Sequence, residues 1–279
     1  MNTTQHYDLI LLGNDTVAGA LLQKASLEFA RIAWLIADEA DDIALPWNVD
    51  RFVGPFHFVS SKQICCETPP GPHRISAERI VIATGSMPRR LPHLPDSVRI
   101  QQAEEFTACG SEERVAIVGM GLTGQSIREQ LLGCCRELHC IESSEKLRLS
   151  SNRIARTRLQ ATALATRETV HLGNGLAGID AEPHELTLYL ESSEILHVDR
   201  VVLAVGRIGN TGRLNLSAAG LQADDSGRIW CNSDYETWTP GIYAIGSVVG
   251  FAQESHVSGS DLDVVLTAMT GRSTLATAS

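Results

Sequence analysis

Three glycines in the stretch GMGLTG, residues 119–124, are spaced so that a backbone turn can take hold of a phosphate. Gly119 frees the chain to turn sharply. Gly121 has no side chain to keep a pyrophosphate off the backbone, and Gly124 lets a following helix press against the preceding strand. A helix opening over Leu122 and Thr123 would aim N–H groups and the positive end of its dipole at the anion. The apolar run RVAIV stands directly before the turn, and Glu142 closes the next such run, eighteen residues after Gly124. A carboxylate there accepts hydrogen bonds from ribose hydroxyls and repels a 2′-phosphate, which favours NAD over NADP. The nearby Lys146 and Arg148 work against that preference.

A second strand–turn–helix stretch, ILLGNDTVAG at 10–19, has the same outline with a chemically different middle. Gly13 holds the first place, Ala18 the last, and Asp15 stands where Gly121 stands in the other turn. Aspartate adds bulk and negative charge where a pyrophosphate would rest. It is also a good helix N-cap, able to take the N–H groups that a phosphate would use. At the end of the next strand, Asp38 or Glu39 is the candidate ribose-binding acid. One turn is therefore expected to be open, and the other filled by the chain's own carboxylate.

These turns need elements to hold them. Each sits in a βαβ opening, the two about a hundred residues apart, within a 279-residue chain long enough for two domains. The fold expected is α/β, with two Rossmann-like three-layer domains. Further buried strands end in glycine turns at Ala83-Thr84-Gly85, Gly206-Arg207 and Gly246-Ser247. The net charge of −10, with no basic patch interleaved with aromatics, excludes nucleic acid or an anionic membrane as main partner and leaves a small-molecule nucleotide. The first apolar run, LILL, is too short for a signal peptide or a span. Seven irregularly spaced cysteines do not read as a disulfide framework, so a cytoplasmic protein with reduced thiols is expected. The histidines and cysteines lack metal-ligand spacing, and no metal is expected. Ser126 lacks a nucleophile elbow, and no residue is nominated as catalytic.

With both turns in view, the chain resembles the pyridine nucleotide–disulfide oxidoreductase family, especially its soluble transhydrogenase and lipoamide dehydrogenase branch. The resemblance rests on the Gly206-Arg207 and Asn210-Thr211 pairs, Gly220-Leu221, Asn232 and the turn from Tyr243 to Gly246. It implies an FAD-like domain built from 1–106 and 228–279, with an NAD(P)-binding domain at 107–227 inserted. It also implies NAD and FAD as cofactors and hydride transfer from nicotinamide to flavin. Gly119, Gly121, Leu122, Thr123, Gly124, Glu142, Gly206 and Arg207 would then hold NAD. Gly13, Asp15, Asp38, Ala83, Thr84, Gly85, Gly246 and Ser247 would form a degenerate FAD site.

The departures from the family pattern are specific. Asp15 replaces a glycine, and Ser247 replaces an aspartate that bonds the flavin's ribityl chain. No cysteine pair follows the first ribose acid, and Cys65 and Cys66 fall in a hairpin flap. Cys135 and Cys140 have the C-x-x-x-x-C spacing but lie in the NAD-like domain, where they read as structural thiols. The C-terminal dimerisation domain, with its acid/base pair, is not in the sequence. Two functions are expected to compete. One is an NAD(P)H-dependent FAD oxidoreductase, transhydrogenase- or diaphorase-like, without a dithiol step. The alternative is a catalytically inactive, flavin-free NAD-binding protein with a regulatory or partner-binding role.

Overall fold

The structure is a computed structural model that describes residues 4–38, 44–69, 71–146, 167–250 and 259–271. Glu39 and Arg148 lie outside the described residues. In chain order the first strands and helix are β1 Gln5–Leu12, α1 Thr16–Ala25, β2 Ile32–Ile36, β3 Val49–Val53, β4 Phe56–Ser60, β5 Gln63–Thr68, β6 Gly71–Ile82 and β7 Ser86–Pro88. Next come β8 Ile100–Gln102, β9 Arg114–Val118, α2 Leu122–Leu131, β10 Glu137–Glu142 and β11 Glu168–Leu172. The last are β12 Leu176–Ala181, β13 Leu186–Leu190, β14 Ile195–Val198, β15 Arg200–Leu203, β16 Arg207–Gly209, β17 Ile242–Ala244 and α3 Gly259–Thr270.

The chain divides into two compact units, residues 1–87 with 208–279, and residues 88–207. These boundaries fall about twenty residues before those expected from sequence, and packing explains the shift. Strand β8 pairs with β15, which draws residues before 107 into the second unit. Leu214, Leu216, Ala219 and Leu221 join the core of the first unit, which draws in residues before 228.

In the first unit a sheet runs in the order β3-β2-β1-β6-β5-β4, with β17 also paired to β6. Strands β3, β2, β1, β6 and β17 pair in parallel, while β4, β5 and the start of β6 form an antiparallel flap. Strand β2 (IAWLI) is buried at every residue, as a parallel strand covered on both faces must be. One face packs under α1 and α3 through Leu21, Leu22, Val265 and Met269. The other packs under Phe58, Ile64, Leu216 and Val249. Helix α1 buries Val17, Ala18, Leu21, Leu22 and Ala25, a helical three-and-four spacing that puts one stripe on the sheet.

The second unit repeats the plan more simply. Five parallel strands run β11-β10-β9-β15-β8. Helix α2 covers one face through Ile127 and Leu131, and the antiparallel meander β12-β13-β14 covers the other through Leu186, Leu188 and Val198. Helix, sheet and meander make the three layers.

Candidate nucleotide site

The second unit places its turn at the carboxyl end of β9, where open α/β sheets bind ligands. Gly119 has φ +95°, and a Cβ there would meet the Ala204 carbonyl at 2.4 Å, so this position requires glycine. A Cβ on Gly124 would meet the Gly119 oxygen at 1.9 Å, which is how the helix closes on the turn. Gly121 differs: no atom lies within 4 Å of where its Cβ would be. It caps α2 with φ −68° and ψ −170°, supplies no side-chain hydrogen bond, and no acidic residue occupies the first helical turn. Leu122 and Thr123 are exposed on that first turn. The first turn of α2 thus carries no acidic side chain of its own.

Beside it, Glu142 ends β10. Its Oε2 accepts from the Met120 N–H at 2.9 Å, and its Oε1 accepts from the Ser144 N–H at 2.9 Å. Ser143 Oγ also donates to Oε1 at 3.4 Å, so the carboxylate is fixed against the turn. Gly206, at the end of β15, has φ +92° and likewise has no neighbour within 4 Å of a Cβ position. The Arg207 guanidinium is paired with Glu104. Met120 and Ser144 were not singled out from sequence, because they contribute backbone N–H groups that any residue type could supply.

The first unit repeats this backbone with different contents. Gly13 has φ +100°, and a Cβ there would meet the Ala83 carbonyl at 2.5 Å, the same approach as Gly119 to Ala204. Asp15 caps α1 with φ −56° and ψ 157°, close to the backbone conformation of Gly121. Its Oδ1 accepts from the Thr16 N–H at 2.7 Å, while its Oδ2 accepts from both the N–H and the hydroxyl of Ser247 at 3.2 Å. A Cβ on Gly85 (φ +69°) would meet the Asp15 carboxyl carbon at 3.1 Å, and one on Gly246 (φ +84°) would meet its Oδ2 at 2.6 Å. The space open beside Gly206 is thus filled beside Gly85. Ala83 is buried, and the Thr84 carbonyl accepts from Asn210 Nδ2 at 2.9 Å. The two residues that departed from the family pattern separately, Asp15 and Ser247, touch each other.

The ribose acid of this first unit is also displaced. The N–H of Gly13 bonds the Leu35 carbonyl, as that of Gly119 bonds the Ile141 carbonyl. The residue matching Glu142 is therefore Ile36, which is fully buried, and Asp38 lies two residues further on, exposed. The sequence puts an acid at the strand's end, whereas the register puts Ile36 there and Asp38 beyond it.

Elsewhere in the second unit, Cys140 is buried and donates to Glu168 at 3.4 Å. Burial, with Glu168 adding to it, pushes its thiol pKa well up, as fits a structural thiol. His139 and His171 lie on neighbouring strands with Nδ1 and Nε2 3.2 Å apart, and His171 Nδ1 faces Glu194 at 3.2 Å. Burial, and then the neighbouring His171, lower the pKa of His139 below its ordinary 6.5; Glu137 and Glu194 oppose the shift and Arg114 adds to it. The folded chain thus holds this ring neutral where an unfolded chain would protonate it. Its contribution is full above pH 6.5 and lost as pH falls toward the lowered value. Urea midpoints should accordingly fall from pH 7.5 to about 5.5, and a His139→Asn chain should lose that part of the slope.

A family model described as pyridine nucleotide-disulphide oxidoreductase matches residues 48–270. The chain belongs to the pyridine nucleotide-disulphide oxidoreductase family. Among relatives, a soluble pyridine nucleotide transhydrogenase of Colwellia psychrerythraea is 28% identical over 207 residues, 73% of this chain and 44% of that protein. A dihydrolipoyl dehydrogenase of Thermus scotoductus is 31% identical over 183 residues, 62% of this chain and 39% of that protein. The chain therefore spans less than half the length of these members of the family. The HOCl-induced flavoprotein disulfide reductase RclA of Escherichia coli shares the family fold, with a TM-score of 0.78 and 16% identity over 96% of this chain and 72% of that one. Members of the pyridine nucleotide-disulphide oxidoreductase family bind FAD and NAD(P). Among the described residues of this member, no helix is long and apolar enough to cross a membrane.

Proposed function

We propose that this chain is an NAD(H)-binding protein whose first dinucleotide turn no longer accepts a flavin, and that it serves as a nucleotide-responsive regulatory or partner-binding module in the cytoplasm. One observation carries the reading. The Asp15 carboxylate stands beside Gly85 and Gly246, bonded to Ser247, whereas the matching space beside Gly206 is open. A pyrophosphate entering the first turn would meet a fixed negative charge, and it would have to displace the hydrogen bonds that the carboxylate already accepts from Thr16 and Ser247. The residues of this site do not fit FAD. In the second turn, by contrast, the acid-free first turn of α2 and the Glu142 carboxylate fit the pyrophosphate and adenosine ribose of NAD. The bound nicotinamide would supply hydride chemistry. The chain's own residues would bind and orient the dinucleotide, and Glu142 would disfavour a 2′-phosphate.

The test is direct. The purified chain is expected to be colourless, to stay so after incubation with FAD and desalting, and to bind NADH more tightly than NADPH in a fluorescence titration. A yellow protein carrying stoichiometric flavin, with NADH-driven reduction of a dye, would instead establish the oxidoreductase reading. The paired substitution Asp15→Gly with Ser247→Asp is expected to raise FAD affinity by at least about 100-fold, the equivalent of ~3 kcal/mol. No gain would remove the carboxylate as the reason for exclusion.

A further inference from the structure

Three cysteines gather at the end of the second unit opposite its nucleotide turn. Cys109 lies in the segment leading into β9, and Cys134 and Cys135 lie in the turn that follows α2. Gly133, with φ +78°, bends the chain there and brings this turn back toward the segment before β9. The side chains of Cys109 and Cys135 pack against the same apolar cluster under α2. Cys109 Sγ also approaches the Cys134 carbonyl at 3.9 Å, and Cys135 Sγ donates to the Leu131 carbonyl at 3.7 Å. All three thiols are free, with Cys134 exposed and the other two half-buried. A solvent-open groove lined by Ser111, Leu131, Leu132, Cys135 and Arg136 reaches the Cys135 side chain.

We propose that Cys109 and Cys135 form an oxidant-responsive pair, which a peroxide converts into a disulfide joining the segment before β9 to the turn after α2. The chemistry balances with hydrogen peroxide as the oxidant. One thiolate attacks a peroxide oxygen to give a sulfenic acid and release water. The second thiolate then attacks that sulfur, expelling hydroxide, which takes up the proton left over as a second water. Two thiol hydrogens are removed and one peroxide is reduced to two waters.

Geometry singles out this pair from the other cysteines. Cys140 is fully buried against Glu168 and does not itself line the groove. Cys134 and Cys135 are adjacent in the chain, and closing a ring between neighbouring residues strains the peptide joining them. The Cys134 thiol points back toward the Leu132 carbonyl at 4.0 Å rather than toward Cys109. Burial pushes the Cys135 thiol pKa up to about 11 and raises that of Cys109. The pair therefore rests as thiols at neutral pH, and its oxidation accelerates as pH rises. The bond would close a covalent loop around β9, the glycine turn and α2, the elements that carry the proposed NAD site. The pairing itself does not depend on that reading.

The experiment treats the full chain with hydrogen peroxide at dilute concentration, at pH 7 and pH 9. Remaining thiols are then alkylated and the protein is digested with trypsin without reductant. The expected product is peptide 100–114 joined to peptide 129–136 through Cys109 and Cys135, formed several-fold faster at pH 9. The product should migrate as a monomer on a non-reducing gel. Cys134→Ser should retain the link and Cys135→Ser should abolish it, each with a thermal transition in the reduced state matching the parent. A Cys109–Cys134 link, a Cys134–Cys135 disulfide, or over-oxidised thiols with no link between the two peptides would each overturn the assignment.

Discussion

A Gly121→Asp chain should lose NADH binding by at least about 100-fold while unfolding at the same temperature as the parent. The substitution copies into the second turn what Asp15 does in the first. It is sterically cheap: Gly121 has φ −68°, an ordinary value for any residue, and open space where the Cβ would go. It is electrostatically costly, because a carboxylate at the cap would bind the helix N–H groups and face the pyrophosphate with like charge. Losing two charge-assisted hydrogen bonds at about 1.5 kcal/mol each gives ~3 kcal/mol, or roughly two orders of magnitude in affinity. Isothermal titration with NADH and a thermal melt measure the two halves of the prediction. Unchanged affinity would mean that the nucleotide does not sit on this turn. It would also remove the comparison with Asp15 on which the proposed function stands.

The largest loss of stability is expected at the ion pair between Arg128 on α2 and Glu168 on β11. The guanidinium Nε meets one carboxylate oxygen, and Nη2 meets the other at 2.6 Å. The side chains are only 4% and 0% exposed, so removing either one strands the other charge away from water. Glu168→Gln or Arg128→Met should each cost about 3–5 kcal/mol, seen as a lower urea midpoint. The double change Arg128→Met with Glu168→Leu should recover most of that loss, because a buried pair is worth little more than well-packed apolar side chains. If the double variant is as unstable as the single ones, the pair contributes something that apolar packing cannot replace.

Much of the fold was legible because parallel α/β units leave strong local marks. Apolar runs such as RVAIV and IAWLI, glycines at the tight turns, and the three-and-four spacing of α1 each appear within a dozen residues. The open turn was legible for the same reason, since Gly119, Gly121 and Gly124 act on one another locally. What was not legible depends on contacts between distant segments. Asp15 and Ser247 are separated by 232 residues, and each departs from the family pattern in its own way. Only the strand order that sets β17 beside β6 brings their turns together. The register of β1 on β2 likewise decided that Ile36, not Asp38, matches Glu142. The unit boundaries slipped because proline-rich linkers mark where the chain bends. They do not mark which core a segment such as Leu214–Leu221 joins.

The carboxylate bridge in the first unit also bears on how this chain reaches its folded state. In a protein whose loops are held by a dissociable prosthetic group, the folded population rises and falls with the supply of that group, because a ligand that binds only the native state adds its own binding free energy. Here Asp15 draws the ends of β1 and β17 together from within the polypeptide, through bonds to Thr16 and Ser247. On the proposed flavin-free reading, the first unit would not depend on flavin availability. That reading then expects a cell short of riboflavin to accumulate this chain as readily as one well supplied.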